Sequence, residues 1–189
     1  CGGRVATSRC PGRAPARPAS APMGYSGYHR LVQGVSPEHR SAVDSILIIT
    51  TGGTIDKVYF DAKSDYEVGD SVIARLLAQA HVRQPFDVVN LLRKDSLEMT
   101  DADRELVRAT VLARDEDRVV ITHGTDTMTS TAAALSGISG KTIVLTGSLA
   151  PARFAESDAV FNVGMAFGAV QSLPAGVYVV MNGQVFPAD

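Results

Sequence analysis

The stretch Ile46-Leu47-Ile48-Ile49-Thr50-Thr51-Gly52-Gly53-Thr54 sets the reading of the whole chain. Its first part is β-branched or apolar at consecutive positions, so it predicts a strand buried on both faces rather than one with a wet side. Hydroxyls and paired glycines follow immediately, the composition of a tight turn at a strand end. Outward from it, four further runs have the same character: 87–91 (Asp-Val-Val-Asn-Leu), 119–122 (Val-Val-Ile-Thr), 142–146 (Thr-Ile-Val-Leu-Thr) and 177–181 (Val-Tyr-Val-Val-Met).

Between these runs lie segments of helical period with start signals. Asp70 or Ser71 is placed to cap a helix with Val72, Ile73, Leu76, Leu77 and Ala80 on one face. Thr100 is placed to cap one with Leu106, Val107 and Val111 inward. A third runs from about Thr127 to Gly137, and a fourth from Ser157 to Leu173, with Val160, Phe161, Val163, Met165 and Phe167 making most of its surface apolar. Strands alternating with helices need crossovers, which makes the expected fold α/β: a doubly wound, mainly parallel sheet with helices on both faces, Rossmann- or flavodoxin-like. In such sheets ligands bind at the carboxyl ends of the strands.

Composition bounds the function. Of 189 residues 45% are apolar and 20% charged, with 18 basic against 20 acidic side chains, a net charge of -2 and a pI near 6.1. No overall positive field exists to hold nucleic acid or an acidic membrane. Residues 1–40 carry six arginines against a single acid, Glu38, and five of the nine prolines; residues 41–189 hold twelve basic and nineteen acidic side chains. Residues 1–44 therefore read as a disordered Arg/Pro/Ala-rich tail and 45–189 as the folded domain. The tail is Arg-rich and acid-poor, which admits an organelle transit peptide as the alternative to a cytoplasmic protein, although its prolines oppose an amphipathic helix. Both cysteines, Cys1 and Cys10, lie in the tail, so the domain has no thiol for a disulfide or a metal knot and a reducing compartment is expected.

Two strand ends carry the chemistry-bearing residues: Thr50-Thr51-Gly52-Gly53-Thr54-Ile55-Asp56 and Thr122-His123-Gly124-Thr125-Asp126-Thr127. Singly, each reads as a turn followed by a helix cap; on one sheet edge they would converge on one crevice, with Lys94-Asp95-Ser96-Leu97-Glu98-Met99 as a third contributor. His29, His39, His81 and His123 have no metal-ligand spacing, and G-x-S-x-G, P-loop and G-x-G-x-x-G patterns are absent. No metal and no cofactor is expected. His123 is read as supporting its loop, the Phe161, Met165 and Phe167 stripe as core, and Arg153 as a solvated loop charge, with neutralisation of a carboxylate near the crevice as its alternative.

Thr51-Gly52-Gly53-Thr54-Ile55 and His123-Gly124-Thr125-Asp126-Thr127, with Ser64-Asp65-Tyr66-Glu67-Val68-Gly69 and Ser96 between them in order, resemble the bacterial-type L-asparaginase and glutaminase family. Leu145-Thr146-Gly147-Ser148 and Val179-Val180-Met181-Asn182 agree as well. The resemblance covers residues 45–189 and matches that family's N-terminal domain, as in a short single-domain or truncated member. It implies that Thr54 is the nucleophile, that Tyr66 lies beside it on a mobile flap, that Thr125 and Asp126 form a second catalytic cluster, and that Ser96 and Asp126 bind the amino-acid backbone. Gly53 and Gly124 would line the substrate.

The family's second cluster is completed by a lysine beyond the strand at 177–181, and its C-terminal domain supplies a further glutamate; both are expected outside this chain. The implied activity is hydrolysis of the side-chain amide of L-asparagine, with L-glutamine second, to the acid and ammonia. A threonine hydroxyl is a weak nucleophile at neutral pH and needs a nearby base, which Tyr66, or Thr125 polarised through a lysine, would supply. The expected partner is a small amino-acid amide, with no nucleic acid or membrane, and a homo-oligomer is expected because family members are oligomers. The alternative is a non-catalytic or weakly active amino-acid-binding α/β domain.

Overall fold

The computed structural model describes Gly2 and residues 45–60, 65–69 and 71–188; the tail expected over 1–44 otherwise lies outside the described residues, as do Ser64 and Asp70. Among the described residues, eight strands and four helices follow in chain order: β1 (Ile46–Gly52), β2 (Lys57–Phe60), β3 (Asp65–Val68), α1 (Ile73–Gln79), β4 (Phe86–Lys94), α2 (Asp101–Leu112), β5 (Arg118–Thr122), α3 (Met128–Leu135), β6 (Thr142–Thr146), α4 (Ala159–Ser172), β7 (Gly176–Met181) and β8 (Gln184–Pro187). All five expected strands are present. The sequence reading did not anticipate the β2–β3 hairpin or β8, which pairs antiparallel with β7.

The main sheet has the order β4-β1-β5-β6-β7-β8, and its first five strands are parallel. Counting only those five, the second strand lies outside the first and the rest follow on the other side, the 2-1-3-4-5 order of a flavodoxin-like sheet. Winding direction therefore reverses between β1 and β5, and in such sheets ligands bind beyond the carboxyl ends of these two neighbours.

Period-two alternation divides the core between two faces. Ile46, Ile48, Val120 and Val144 pack with Ile73, Leu76 and Leu77 of α1 and with Val163, Ala166, Phe167 and Val170 of α4. Leu47, Ile49, Val119, Ile121, Ile143 and Leu145 face the other way, onto Val107 and Val111 of α2 and Met128, Ala132 and Leu135 of α3. Strands β1, β5 and β6 are buried almost throughout, as their uninterrupted apolar runs require.

The helix starts differ in detail from expectation. Thr100 caps α2 in a full capping box with Asp103: its hydroxyl accepts from the Asp103 N–H at 3.3 Å, and the Asp103 carboxylate accepts from the Thr100 N–H at 2.8 Å. Leu106, expected inward, is exposed, because the apolar stripe of this short helix is satisfied by Val107 and Val111. Helix α4 begins at Ala159 with Ser157 Oγ accepting from its N–H at 3.1 Å. Val160 and Phe161 are exposed, since the sheet takes only the Val163, Phe167 and Val170 side; Phe161 is not core. For α1 the residue before the helix is Val72, which makes no side-chain cap, and the expected Ser71 supplies the acceptor instead, its Oγ taking the Ile73 N–H at 3.4 Å. No helix among the described residues is long and apolar enough to cross a membrane.

Candidate functional site at the sheet switch point

Strand β1 ends at Gly52, and Gly52 and the following Gly53 both have positive φ (98° and 84°), a conformation side-chain-bearing residues rarely adopt. The chain then tightens into a 3-10 turn over Thr54–Asp56. The second loop leaves β5 at Thr122 and enters α3, and the third leaves β4 and makes a 3-10 turn over Ser96–Glu98.

These three loops interlock. A Cβ on Gly53 would collide with the Gly124 backbone, and a Cβ on Gly124 would lie 2.5 Å from Ser96 Oγ and 2.6 Å from Ser96 Cβ. Close approach thus requires both glycines, and at Gly53 the positive φ requires one as well. Ser96 is fully buried; its hydroxyl donates to Asp126 Oδ2 at 3.2 Å, and Thr127 Oγ1 donates to its carbonyl at 2.7 Å. Thr51 Oγ1 donates to the Thr122 carbonyl at 2.9 Å, and the Gly53 N–H donates to the Lys94 carbonyl at 3.0 Å. All strand-end residues singled out in the sequence, Gly53, Thr54, Ser96, Gly124, Thr125 and Asp126, are therefore gathered at one edge.

Thr54 and Thr125 are half-buried and Asp126 is exposed. Tyr66 is carried on β3 in register with Tyr59; its side chain lies outside the described residues.

His123 is wholly buried beneath the second loop. Its Nδ1 lies 2.8 Å from the Gly124 carbonyl, which only accepts, so Nδ1 carries the proton and Nε2 accepts from Thr131 Oγ1 at 2.8 Å. Burial pushes its pKa below the usual value, against the opposing bond to Gly124. It is a neutral strut that fixes the carbonyl of Gly124.

Several residues that shape the site were not singled out from sequence. Asp56 is buried, and that burial raises its carboxyl pKa, opposed by the N–H of Val72, the Ser71 hydroxyl and the charges of Arg153 and Arg93. Arg153, which the sequence does single out, is exposed as a solvated loop charge, and its charge also bears on this buried acid, in keeping with its alternative reading. Lys57, at the root of the hairpin, pairs with Asp95 at 2.6 Å, and Asp95 accepts from the Leu97 N–H at 3.1 Å. The Lys57 contact holds the Asp95 carboxyl below its usual range. An Asp directly before Ser-Leu is a recognisable turn signal for Asp95; nothing local distinguishes Asp56. No group of three or more His, Cys, Asp or Glu among the described residues could hold a metal ion.

Comparison with known proteins sets this geometry in context. Residues 45–189 match the family model described as Asparaginase, N-terminal. Among curated relatives, a glutamyl-tRNA(Gln) amidotransferase component of Thermococcus kodakarensis is 36% identical over 159 residues, covering 77% of this chain and 35% of that protein. The glutaminase-asparaginase of Acinetobacter glutaminasificans is 30% identical over 161 residues, covering 77% of this chain and 48% of its own length. Among solved structures, L-asparaginase I from Vibrio cholerae superposes with a TM-score of 0.66 at 30% identity, covering 77% of this chain and 46% of that one. The chain thus spans between a third and a half of these relatives.

Proposed function

From the premise that this chain belongs to the asparaginase family, whose N-terminal domain model it matches over residues 45–189, we propose that it is the nucleophile-bearing part of an amidohydrolase. Its substrate is the side-chain amide of L-asparagine, with L-glutamine second. In the proposed reaction Thr54 Oγ attacks the amide carbon, and its proton passes through the neighbouring base to the departing ammonia. Water then cleaves the Thr54 ester and releases the acid.

The observation that carries this reading is the interlock of Gly53, Gly124 and Ser96. It supports a reading in which Thr54, Thr125 and the Asp126 carboxylate share one edge of the sheet at the switch point. Asp126 then suits the substrate ammonium, Ser96 and backbone N–H groups suit its carboxylate, and Tyr66 and Thr125 act as the proton-handling neighbours. N–H groups of the first loop, or at the start of α3, would stabilise the developing oxyanion. The family's lysine and C-terminal glutamate act in this scheme from outside this chain, in a homo-oligomer. The absence of cysteine from residues 41–189 favours a cytoplasmic setting.

The test is ammonia release from L-asparagine and L-glutamine by this chain and by the chain continued past Asp189, each beside its Thr54→Ala variant. Release that disappears with Thr54→Ala is the expected result. No release from either form, with asparagine still raising the melting temperature, would overturn the enzyme and leave an amino-acid-binding domain.

A further inference from the structure

We infer that Asp56 is a positioning residue that clamps both roots of the β2–β3 hairpin to the loop carrying Thr54. This rests on the reading of Thr54 as the nucleophile. Asp56 closes the 3-10 turn that begins at Thr54, and the hairpin departs at the next residue, Lys57. Where the hairpin returns, the Gly69 N–H donates to the Asp56 carbonyl at 2.9 Å. Three residues further on, the Val72 N–H donates to Asp56 Oδ1 at 2.9 Å. The Asp56 N–H in turn donates to the Gly53 carbonyl at 3.1 Å. One residue thus binds the outgoing strand covalently, the returning strand through its carbonyl and the start of α1 through its side chain.

The arrangement has an electrostatic cost that an ordinary helix cap would avoid. Helix α1 has no side-chain cap at Val72, and a Ser or Asn there would cap it from the surface. Ser71 Oγ accepts from the Ile73 N–H at 3.4 Å, but the acceptor for the Val72 N–H comes from the nucleophile loop, sixteen residues earlier in the chain, and is a carboxylate that burial disfavours as an anion. The Lys57–Asp95 ion pair beside it extends the same fastening to the turn that holds Ser96. Since Asp56 lies two residues from Thr54, movement of the hairpin root is passed to the nucleophile, and Tyr66 on β3 moves with that root.

The test compares the full chain with Asp56→Ala, Asp56→Asn and Gly69→Ala, by steady-state ammonia release and by amide exchange at Gly69 and Val72. Asp56→Ala is expected to lower kcat by about ten- to a hundredfold with KM changed less than about threefold, and to speed exchange at Val72. Asp56→Asn retains the acceptor oxygen and should recover most of kcat. Gly69→Ala leaves Asp56 intact but places a Cβ 2.7 Å from Val58 Cγ2 and 3.3 Å from the Asp56 carbonyl oxygen, so it should lower kcat as well, even if Asp56→Ala does not fold. An unchanged kcat in Asp56→Ala or Gly69→Ala, or an Asp56→Asn variant as impaired as the alanine, would overturn the clamp. If the parent chain shows no Thr54-dependent turnover, the nucleophile reading fails by itself. The clamp is then decided by exchange at Val72 and the Thr54 amide resonance, which Asp56→Ala must alter and Asp56→Asn must not.

Discussion

Substituting Gly124 by alanine tests the interlock of the three loops with a single methyl group. The new Cβ would stand 2.6 Å from Ser96 Cβ, 2.5 Å from Ser96 Oγ and 3.2 Å from the Ser96 N–H nitrogen. Carbon atoms rest at about 3.5–4.0 Å, so the two loops must separate by about 1 Å. Gly124 has no positive φ, so the whole penalty is steric. Ser96 cannot swing aside into solvent, because it is buried and bonded to Asp126 and Thr127. Overpacking of this kind costs about 1–3 kcal/mol, which for a domain of this size lowers the melting temperature by roughly 2–12 °C. A 1 Å displacement between Thr125-Asp126 and Ser96 should reduce kcat/KM for the amide by about a hundredfold.

The assay is thermal unfolding and ammonia release for Gly124→Ala, Ser96→Gly and the double variant. Ser96→Gly removes both the atoms in collision, so the double variant should regain most of the stability lost by Gly124→Ala alone. It will not regain turnover, because the Ser96 hydroxyl is gone. Additive melting shifts in the double variant, or a Gly124→Ala protein as stable and active as its parent, would refute the interlock.

Four other outcomes follow from the structure. Thr100→Ala removes half of the capping box on α2 and should cost about 1 kcal/mol in denaturant unfolding. Asp103 is held at a pKa of about 2, first by Lys94 and then by Thr100. Its contribution is complete above the ordinary carboxyl value of 3.8 and disappears as pH falls toward 2, so Asp103→Asn should flatten the acid limb of a stability–pH curve in that interval. His123 has the opposite chemistry but the same slope: with its folded pKa depressed, the unfolded chain takes the proton first. Stability is therefore full above about pH 6.5 and declines below it, and NMR titration should find the His123 imidazole protonating below that value. Finally, Val107→Ala should cost about 2 kcal/mol through two buried methyl groups, whereas Leu106→Ala, on the exposed side of the same helix, should fall within about 0.5 kcal/mol of the parent in chemical denaturation.

The wound sheet and the meeting of its strand-end loops were legible in the sequence, because both are written in local chemistry. Runs such as Ile46–Ile49 and Val119–Ile121 can only be strands buried on both faces, and parallel strands require the helices between them. Gly-rich, hydroxyl-rich segments at the ends of two such runs mark loops that approach a ligand or one another, and Gly53, Gly124 and Ser96 do pack together. Helix faces were less legible: Leu106 and Phe161 lie in apolar patterns, but the sheet is too narrow to cover every apolar residue of α2 and α4.

Strand order, and with it the adjacency of the β1 and β5 loops across the switch point, emerges only when the chain is folded. So do the hairpin β2–β3 and the antiparallel edge strand β8, whose exposed residues are held by pairing rather than by burial of an apolar run. The tasks of Asp56 and Lys57, and the partners through which His123 supports its loop, belong to the same class. An aspartate that caps a helix sixteen residues away, or a histidine whose two nitrogens are taken by Gly124 and Thr131, has no local signature. Its partner is supplied by a fold that brings distant backbone groups within hydrogen-bond reach and removes the water that would otherwise satisfy them.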